Sequence, residues 1–234
     1  MAADTAPTTI TDPTAVPTYG DGPLSRWCRG ALHDPRDEVF VRLTLQRLVL
    51  MPALMAALFL TLQHGWVPAW LAGAAYFAAW GWLTPPVILM LHCTMHRPFI
   101  RSPRILDKAH PFAMTLLFGI PAGYREHHMG MHHVEDNMDE DLSSTIRYQR
   151  DSFAHFLVYF FRFFFLSAYE VPAYLARKGR RARARRALFG ELWHWSLLAV
   201  ACWADWRFGL TAFVLPYVVC RFMMMTGNWG STRS

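Results

Sequence analysis

The chain contains the stretch Tyr124-Arg125-Glu126-His127-His128-Met129-Gly130-Met131-His132-His133, in which four histidines fall within seven positions. On an α-helix, residues four apart lie on one face with their Cβ atoms about 5–6 Å apart. We therefore expect His128 and His132 to converge, with His133 about 100° further round the helix axis. Imidazoles at this density predict a metal-binding site.

A second pair of histidines, His92 and His96, has the same spacing upstream. We call these two residues the first histidine pair and residues 124–133 the second histidine segment. Seven of the eleven histidines of this 234-residue chain lie between positions 92 and 133. The alternative is a set of membrane-surface histidines that meet phosphates and act as weak, pH-dependent charges. The repeated spacing favours metal ligands.

The composition is that of a membrane protein. Hydrophobic residues make up 53% of the chain and charged residues 17%, and ten Trp accompany seventeen Phe. Several apolar runs reach the roughly 20 residues that cross a bilayer core. Because lipid offers the backbone no hydrogen-bond partners, such runs are helical. The sequence thus predicts an all-α integral membrane fold. The four cysteines have no metal-type spacing and indicate no disulfide framework.

Four membrane spans in two hairpins are expected, at residues 41–63, 67–91, 188–206 and 208–225. Two further helices are expected along the membrane interface. The apolar part of the first, residues 111–120, is too short to span. The second, residues 153–175, would place the basic residues that follow it on the far side if it crossed. Residues 1–25 have little to bury and are expected to form a disordered tail.

The net charge of +6 is concentrated in one place, since seven of the 23 basic residues lie between Arg177 and Arg186. We call residues 177–186 the basic cluster. Its position beside apolar runs indicates contact with anionic lipid and not with nucleic acid. The expected topology puts the histidine regions, the basic cluster and both termini on the cytoplasmic (or stromal) side of a multi-pass protein.

The pattern His92-x-x-x-His96 and His128-x-x-x-His132-His133, framed by two apolar hairpins, resembles the first two histidine boxes of the membrane fatty acid desaturase/hydroxylase superfamily. Residues 126–133 and Asp141-Leu142-Ser143-Ser144 also look like the corresponding region of membrane alkane hydroxylases. The resemblance covers about residues 40–230. It implies a desaturase-like domain over residues 26–234, with a non-haem di-iron centre that uses O2 and electrons from a ferredoxin or cytochrome b5 type donor. The implied reaction introduces either a double bond or a hydroxyl group into the acyl chain of a lipid.

The resemblance also implies which side chains hold iron. Independently of the resemblance, the acidic run at residues 135–141 is expected by default to be a solvated loop. The alternative is that Glu126, Glu135, Asp136 and Asn137 orient the imidazoles by accepting their second N–H. His33, His64, His110, His155 and His194 are expected to have other roles. The implied ligands are His92, His96, His128, His132 and His133, with His127 as an additional candidate.

One feature departs from the superfamily pattern. A third box ending in His-His follows the second hairpin in that superfamily, and this sequence contains none. We therefore expect a truncated or divergent member whose di-iron site is incomplete. Three functions remain open: a fatty acid desaturase-like oxidoreductase, a lipid or alkane hydroxylase, and a non-catalytic membrane lipid-binding protein.

Overall fold

The computed structural model describes residues 19–231, so most of the tail expected over residues 1–25 lies outside the described residues. The last part of that segment already enters α1, Pro23–Ala31. Proline at the start of a helix loses no hydrogen bond, because the first N–H groups have no partner within the helix. The Ser25 hydroxyl donates to Glu38 Oε1 at 2.7 Å and ties α1 to the next long helix.

Within residues 19–231 the chain is helical and contains no strand, which confirms the predicted all-α class. The second histidine segment is a short helix whose middle is a π-helical turn. A second π-turn, Leu210–Val214, interrupts the C-terminal helix. The remaining helices are α2 Glu38–His64, α3 Ala69–His96, α4 Arg104–Leu117, α5 Tyr124–His127, α6 His133–Glu135, α7 Phe153–Arg177, α8 Arg181–Ala204, α9 Trp206–Gly209 and α10 Leu215–Ser231.

Four helical stretches of the described chain are long and apolar enough to cross a bilayer. Large apolar side chains stand exposed on them, including Val49 at 69%, Trp82 at 84% and Phe165 at 69% of their surface. Exposed apolar surface of this kind is typical of lipid contact. The four stretches are Pro35–His64, Ala69–His96, Phe153–Arg177 and Trp206–Gly230.

This set differs from the expected one in its third member. The expected span at residues 188–206 lies in α8, which is not among the four. Glu191, His194 and the tryptophans of α8 lower its hydropathy. Conversely, α7 was expected at the interface and is long and apolar enough to span. Its two internal charges pair with each other, since Arg162 Nη2 lies 3.1 Å from Glu170 Oε1.

The turn after α2, at Gly65, and the turn after α8, at Asp205, lie together at the end of the molecule remote from the first histidine pair. Gln63 Nε2 donates to Asp205 Oδ2 at 2.9 Å, and Arg207 Nη2 donates to the Leu62 carbonyl at 3.1 Å. From its start beside the first of these turns, α3 runs 28 residues, about 40 Å, to His96. The last turn of α3 therefore delivers His92 and His96 to the opposite end.

Candidate metal centre

The first histidine pair and the second histidine segment meet at the end of α3. The rings of His92 and His96 lie 4.5 Å apart between centroids, as their i, i+4 spacing predicts. One ring nitrogen each of His92, His96 and His128 lie within 4.8 Å of one another. His133 joins them, with its ring 4.6 Å from that of His96. We call these four residues the histidine cluster.

His128 is the central member of the histidine cluster. Its Nε2 atom lies 3.2 Å from Nε2 of His96 and 3.2 Å from Nε2 of His133. Imidazole nitrogens bind zinc-sized ions at about 2.1 Å, which places two ligands of one ion about 3.0 Å apart at a right angle and about 3.4 Å apart at the tetrahedral angle. The observed separations fall between these values. The two distances from His128, to His96 and to His133, are therefore those of imidazoles that share one metal ion.

A π-helical turn decides which imidazoles meet. The turn covers His128–His132, and the backbone N–H of His133 donates to the carbonyl of His128, five residues earlier. Such turns are rare and occur frequently at functional sites. They bring residues i and i+5 together, so His133 lies closer to His128 than His132 does, at 4.5 against 5.9 Å between ring centroids. The expected convergence of His128 with His132 assumed a regular α-helix.

His132 turns toward a buried carboxylate. Its Nδ1 lies 2.6 Å from Asp141 Oδ2, and the Ser143 hydroxyl donates to Asp141 Oδ1 at 2.6 Å. Burial opposes ionisation of Asp141, but the hydrogen bonds from His132 and Ser143 outweigh it and hold the pKa of Asp141 below its usual value. A carboxylate that accepts Nδ1–H leaves Nε2 of the imidazole free, which is the tautomer that ligates metals.

The sequence did not single out Asp141 as the partner of a histidine. The four candidates that it did suggest include three that bind other groups: Glu126 pairs with Arg186 at 2.7 Å, Glu135 with Lys178 at 3.4 Å, and Asn137 Oδ1 accepts the backbone N–H of Thr145. Asp141 lies nine residues beyond His132, in a turn where no helical spacing applies. The similarity of residues 141–144 to alkane hydroxylases was the only available signal.

The structure places His127 outside the histidine cluster. The residue is buried, and neither ring nitrogen has a hydrogen-bond partner within residues 19–231. Its ring packs on Phe163 at 4.8 Å and faces His132 at 6.2 Å. Burial lowers the pKa of His127 to about 3, so the ring is neutral at physiological pH.

Neutral imidazoles are also expected within the histidine cluster. Burial lowers the pKa of His128 to about 3, and the neighbouring His133 and His127 act in the same direction. The pKa of His133 is lowered by burial and by His96. A neutral imidazole is the form that binds metal. His128 and His133 therefore meet a cation without first losing a proton at neutral pH.

The remaining histidines named in the sequence lie in other surroundings. His110 is buried and bonds to the Thr44 hydroxyl at 3.0 Å. His64 stacks on Trp66 at 5.0 Å in the turn after α2. His155 accepts the backbone N–H of Gln149, and His194 stacks on Tyr217 at 5.1 Å. His33 is exposed in the loop after α1. None of these five belongs to the histidine cluster.

We expect the His127→Leu variant to weaken the pH dependence of folding stability. The pKa of His127 is about 3 in the folded chain and about 6.5 when unfolded, so the unfolded chain binds the extra proton between these values. Stability therefore falls as the pH falls through this window, by about 2 kcal/mol between pH 7.5 and pH 5. Leucine fills the same apolar site without a proton to bind.

The measurement is the midpoint of thermal unfolding in detergent at pH 7.5 and pH 5. His64→Leu is the control, because His64 is exposed at the far end of the molecule. An unchanged difference between the two pH values in His127→Leu would show that His127 is not the source of the pH dependence.

Compared with known proteins, the chain matches no family model, no curated protein and no solved structure.

Proposed function

We propose that the chain is a membrane oxidoreductase of the histidine-box type, which binds iron and oxidises the acyl chain of a lipid. One observation carries this proposal. His92, His96 and His128 each place a ring nitrogen within 4.8 Å of the others at the end of an apolar helix, and Nε2 of His133 lies 3.2 Å from Nε2 of His128. A site at the end of a membrane-length helix is accessible to a substrate dissolved in the bilayer.

Imidazole ligands suit iron, zinc, copper and nickel, so histidine alone does not select the ion. The similarity to desaturase histidine boxes selects iron. Bound iron would activate O2 with electrons from an external donor of the ferredoxin or cytochrome b5 type. A second iron of a di-iron centre needs ligands outside the histidine cluster. His132 is prepared for that role, because Asp141 orients its ring and leaves Nε2 free.

Two adjoining cavities support an acyl substrate. An apolar cavity of about 380 Å³ lies between α1, α2 and α4, lined by residues such as Trp27, Leu48 and Leu106. A polar cavity of about 260 Å³ lies beside His96. Phe99 and His110 line both cavities. An acyl chain that enters between the helices would thus approach the histidine cluster from the apolar side.

The distribution of charge supports an orientation with the histidine cluster on the cytoplasmic or stromal face. The basic cluster lies at the histidine end, where Arg186 and Lys178 pair with Glu126 and Glu135. At the remote end, Arg207 in the first turn of α9 pairs with Asp205 at 2.7 Å. An excess of basic residues marks the cytoplasmic side of membrane proteins.

The test is iron content and lipid product. The full chain, purified in detergent, is expected to contain iron by emission spectroscopy, and a His92→Ala/His128→Ala double variant to contain none. Cells that make the wild-type chain are expected to accumulate acyl chains lacking two hydrogens, detected by mass spectrometry. Equal iron in both proteins would overturn the ligand assignment, and acyl chains that gain one oxygen would identify a hydroxylase.

A non-catalytic lipid-binding metalloprotein is the second candidate. It is favoured by the arrangement of the histidine cluster, in which His96 and His133 both lie 3.2 Å from the same atom, Nε2 of His128, as ligands of one shared ion would. This candidate predicts bound iron together with unchanged lipids when O2 and a reduced donor protein are supplied.

A further inference from the structure

The basic cluster has two faces with different surroundings. Arg177, Arg181 and Arg185 are exposed, as expected of side chains that face lipid headgroups. The other face, formed by Arg180, Arg183 and Arg186, contacts the second histidine segment. The lipid-facing role predicted for the whole cluster therefore leaves this second face unexplained.

Two of these arginines bind the carbonyls of the π-turn itself. Arg180 Nη1 donates to the Gly130 carbonyl at 2.6 Å, and Arg183 Nη1 donates to the Met129 carbonyl at 3.1 Å. Hydrogen bonds from a guanidinium are stronger than those between neutral groups. The carbonyls that they engage lie between His128 and His132. The contacts are thus placed where the backbone departs from a regular α-helix.

The same part of α7 and α8 also packs tightly on the π-turn. Met131 is fully buried in a cluster with Leu175 and Ala187. A Cβ atom at Gly130 would lie 3.3 Å from Leu175 Cδ2 and 3.2 Å from Arg183 Nη1, so only glycine allows this approach without displacement. The π-turn is therefore held by both packing and charge-assisted hydrogen bonds.

We infer that Arg180 and Arg183 are positioning residues that maintain the π-turn and so make His133, and not His132, the partner of His128 in metal binding. A regular α-helix has the better backbone hydrogen bonds and would turn His132 toward His128. The two guanidiniums stabilise the alternative by bonding to carbonyls that it leaves accessible. This inference rests on the proposed metal centre, but it does not depend on which metal is bound.

The test compares how strongly Co²⁺ binding depends on His132 and on His133 in three arginine backgrounds. The full chain in detergent is titrated with Co²⁺, as wild type, as Arg180→Gln/Arg183→Gln and as the matched control Arg181→Gln/Arg185→Gln. Each background is combined with His132→Ala or His133→Ala. In the wild type and the control, His133→Ala is expected to weaken Co²⁺ binding by about 10-fold or more, and to weaken it further than His132→Ala does.

In the Arg180→Gln/Arg183→Gln background we expect this order to reverse, with a changed cobalt absorption spectrum. Lysine at both positions is expected to restore the wild-type order, because each arginine uses a single donor here and lysine retains one. Should the double variant lose its helical circular dichroism, Arg183→Gln alone provides the milder form of the same test.

Two outcomes separate this inference from the metal centre. A wild-type chain that binds no Co²⁺ would overturn the metal centre and the inference together. A wild-type chain that binds Co²⁺, with the same histidine order in every arginine background, would overturn only the role of Arg180 and Arg183.

Discussion

Replacing His128 with alanine is expected to abolish specific metal binding, with a loss of affinity of about 100-fold or more. Removal of a residue that merely orients a ligand already weakens binding about 10- to 100-fold. Nε2 of His128 lies 3.2 Å from Nε2 of His96, in the first histidine pair, and 3.2 Å from Nε2 of His133, in the second histidine segment. Loss of His128 would leave the others without a common point of convergence.

Isothermal titration of the full chain with Fe²⁺ under anaerobic conditions measures this loss. The control is His64→Ala, which removes an exposed imidazole at the remote end of α2. We expect the control to bind Fe²⁺ as tightly as the wild type. Comparable binding by His128→Ala and the wild type would exclude the histidine cluster as the metal site.

Replacing Gly190 with alanine is expected to destabilise the fold by about 2–3 kcal/mol, the range for overpacked buried sites. A Cβ atom at Gly190 would lie 2.3 Å from the Gly123 nitrogen and 2.8 Å from the Ala122 carbonyl carbon. Both neighbours are backbone atoms, so no side-chain rotation relieves the contact. The added methyl group would push the chain away from α8 immediately before the second histidine segment.

The expected readouts are a lower midpoint of thermal unfolding and weaker metal binding in the same variant. Gly81→Ala is the matched control, because Gly81 also lies inside a long helix but has no atom within 4 Å of the added Cβ. Alanine favours a helix over glycine by up to about 1 kcal/mol, so the control should be unchanged or more stable. If Gly190→Ala unfolds at the same temperature as the wild type, helix α8 can move away from Ala122 and Gly123 without cost, and the prediction is wrong.

Much of the fold follows from local properties of the sequence. Long apolar runs predict helices wherever they occur, and α2 and α3 begin and end within a few residues of the predicted spans. By length and composition α7 could span and α8 falls outside the set of four apolar stretches. The interfacial position of α7 was expected for another reason, since a crossing would place the basic cluster on the far side. Helix α8 nevertheless runs from the basic cluster, beside the second histidine segment, to the turn at Asp205, which Gln63 binds at the remote end.

In the candidate site, too, helical spacing predicted some contacts between histidines and missed others. The i, i+4 spacing correctly brought His92 and His96 together, because both lie in a regular helix. The same rule applied to His128 and His132 did not describe a segment that contains a π-turn. His127, adjacent to these residues in sequence, lies instead in a buried position against Phe163. Histidines of one short segment thus have three different surroundings: the histidine cluster for His128, Asp141 for His132 and Phe163 for His127.

The sequence by itself determined that this chain is helical, that it has stretches apolar enough to cross a bilayer, and that its imidazoles are concentrated in two segments. Composition and helical period suffice for these properties because they act within one or two turns. Only the tertiary structure decided which imidazoles meet. The π-turn that pairs His128 with His133 contacts Arg180, whose guanidinium binds Gly130 across 50 positions of the chain. Contacts at such a distance depend on how the helices pack, and no local pattern specifies them.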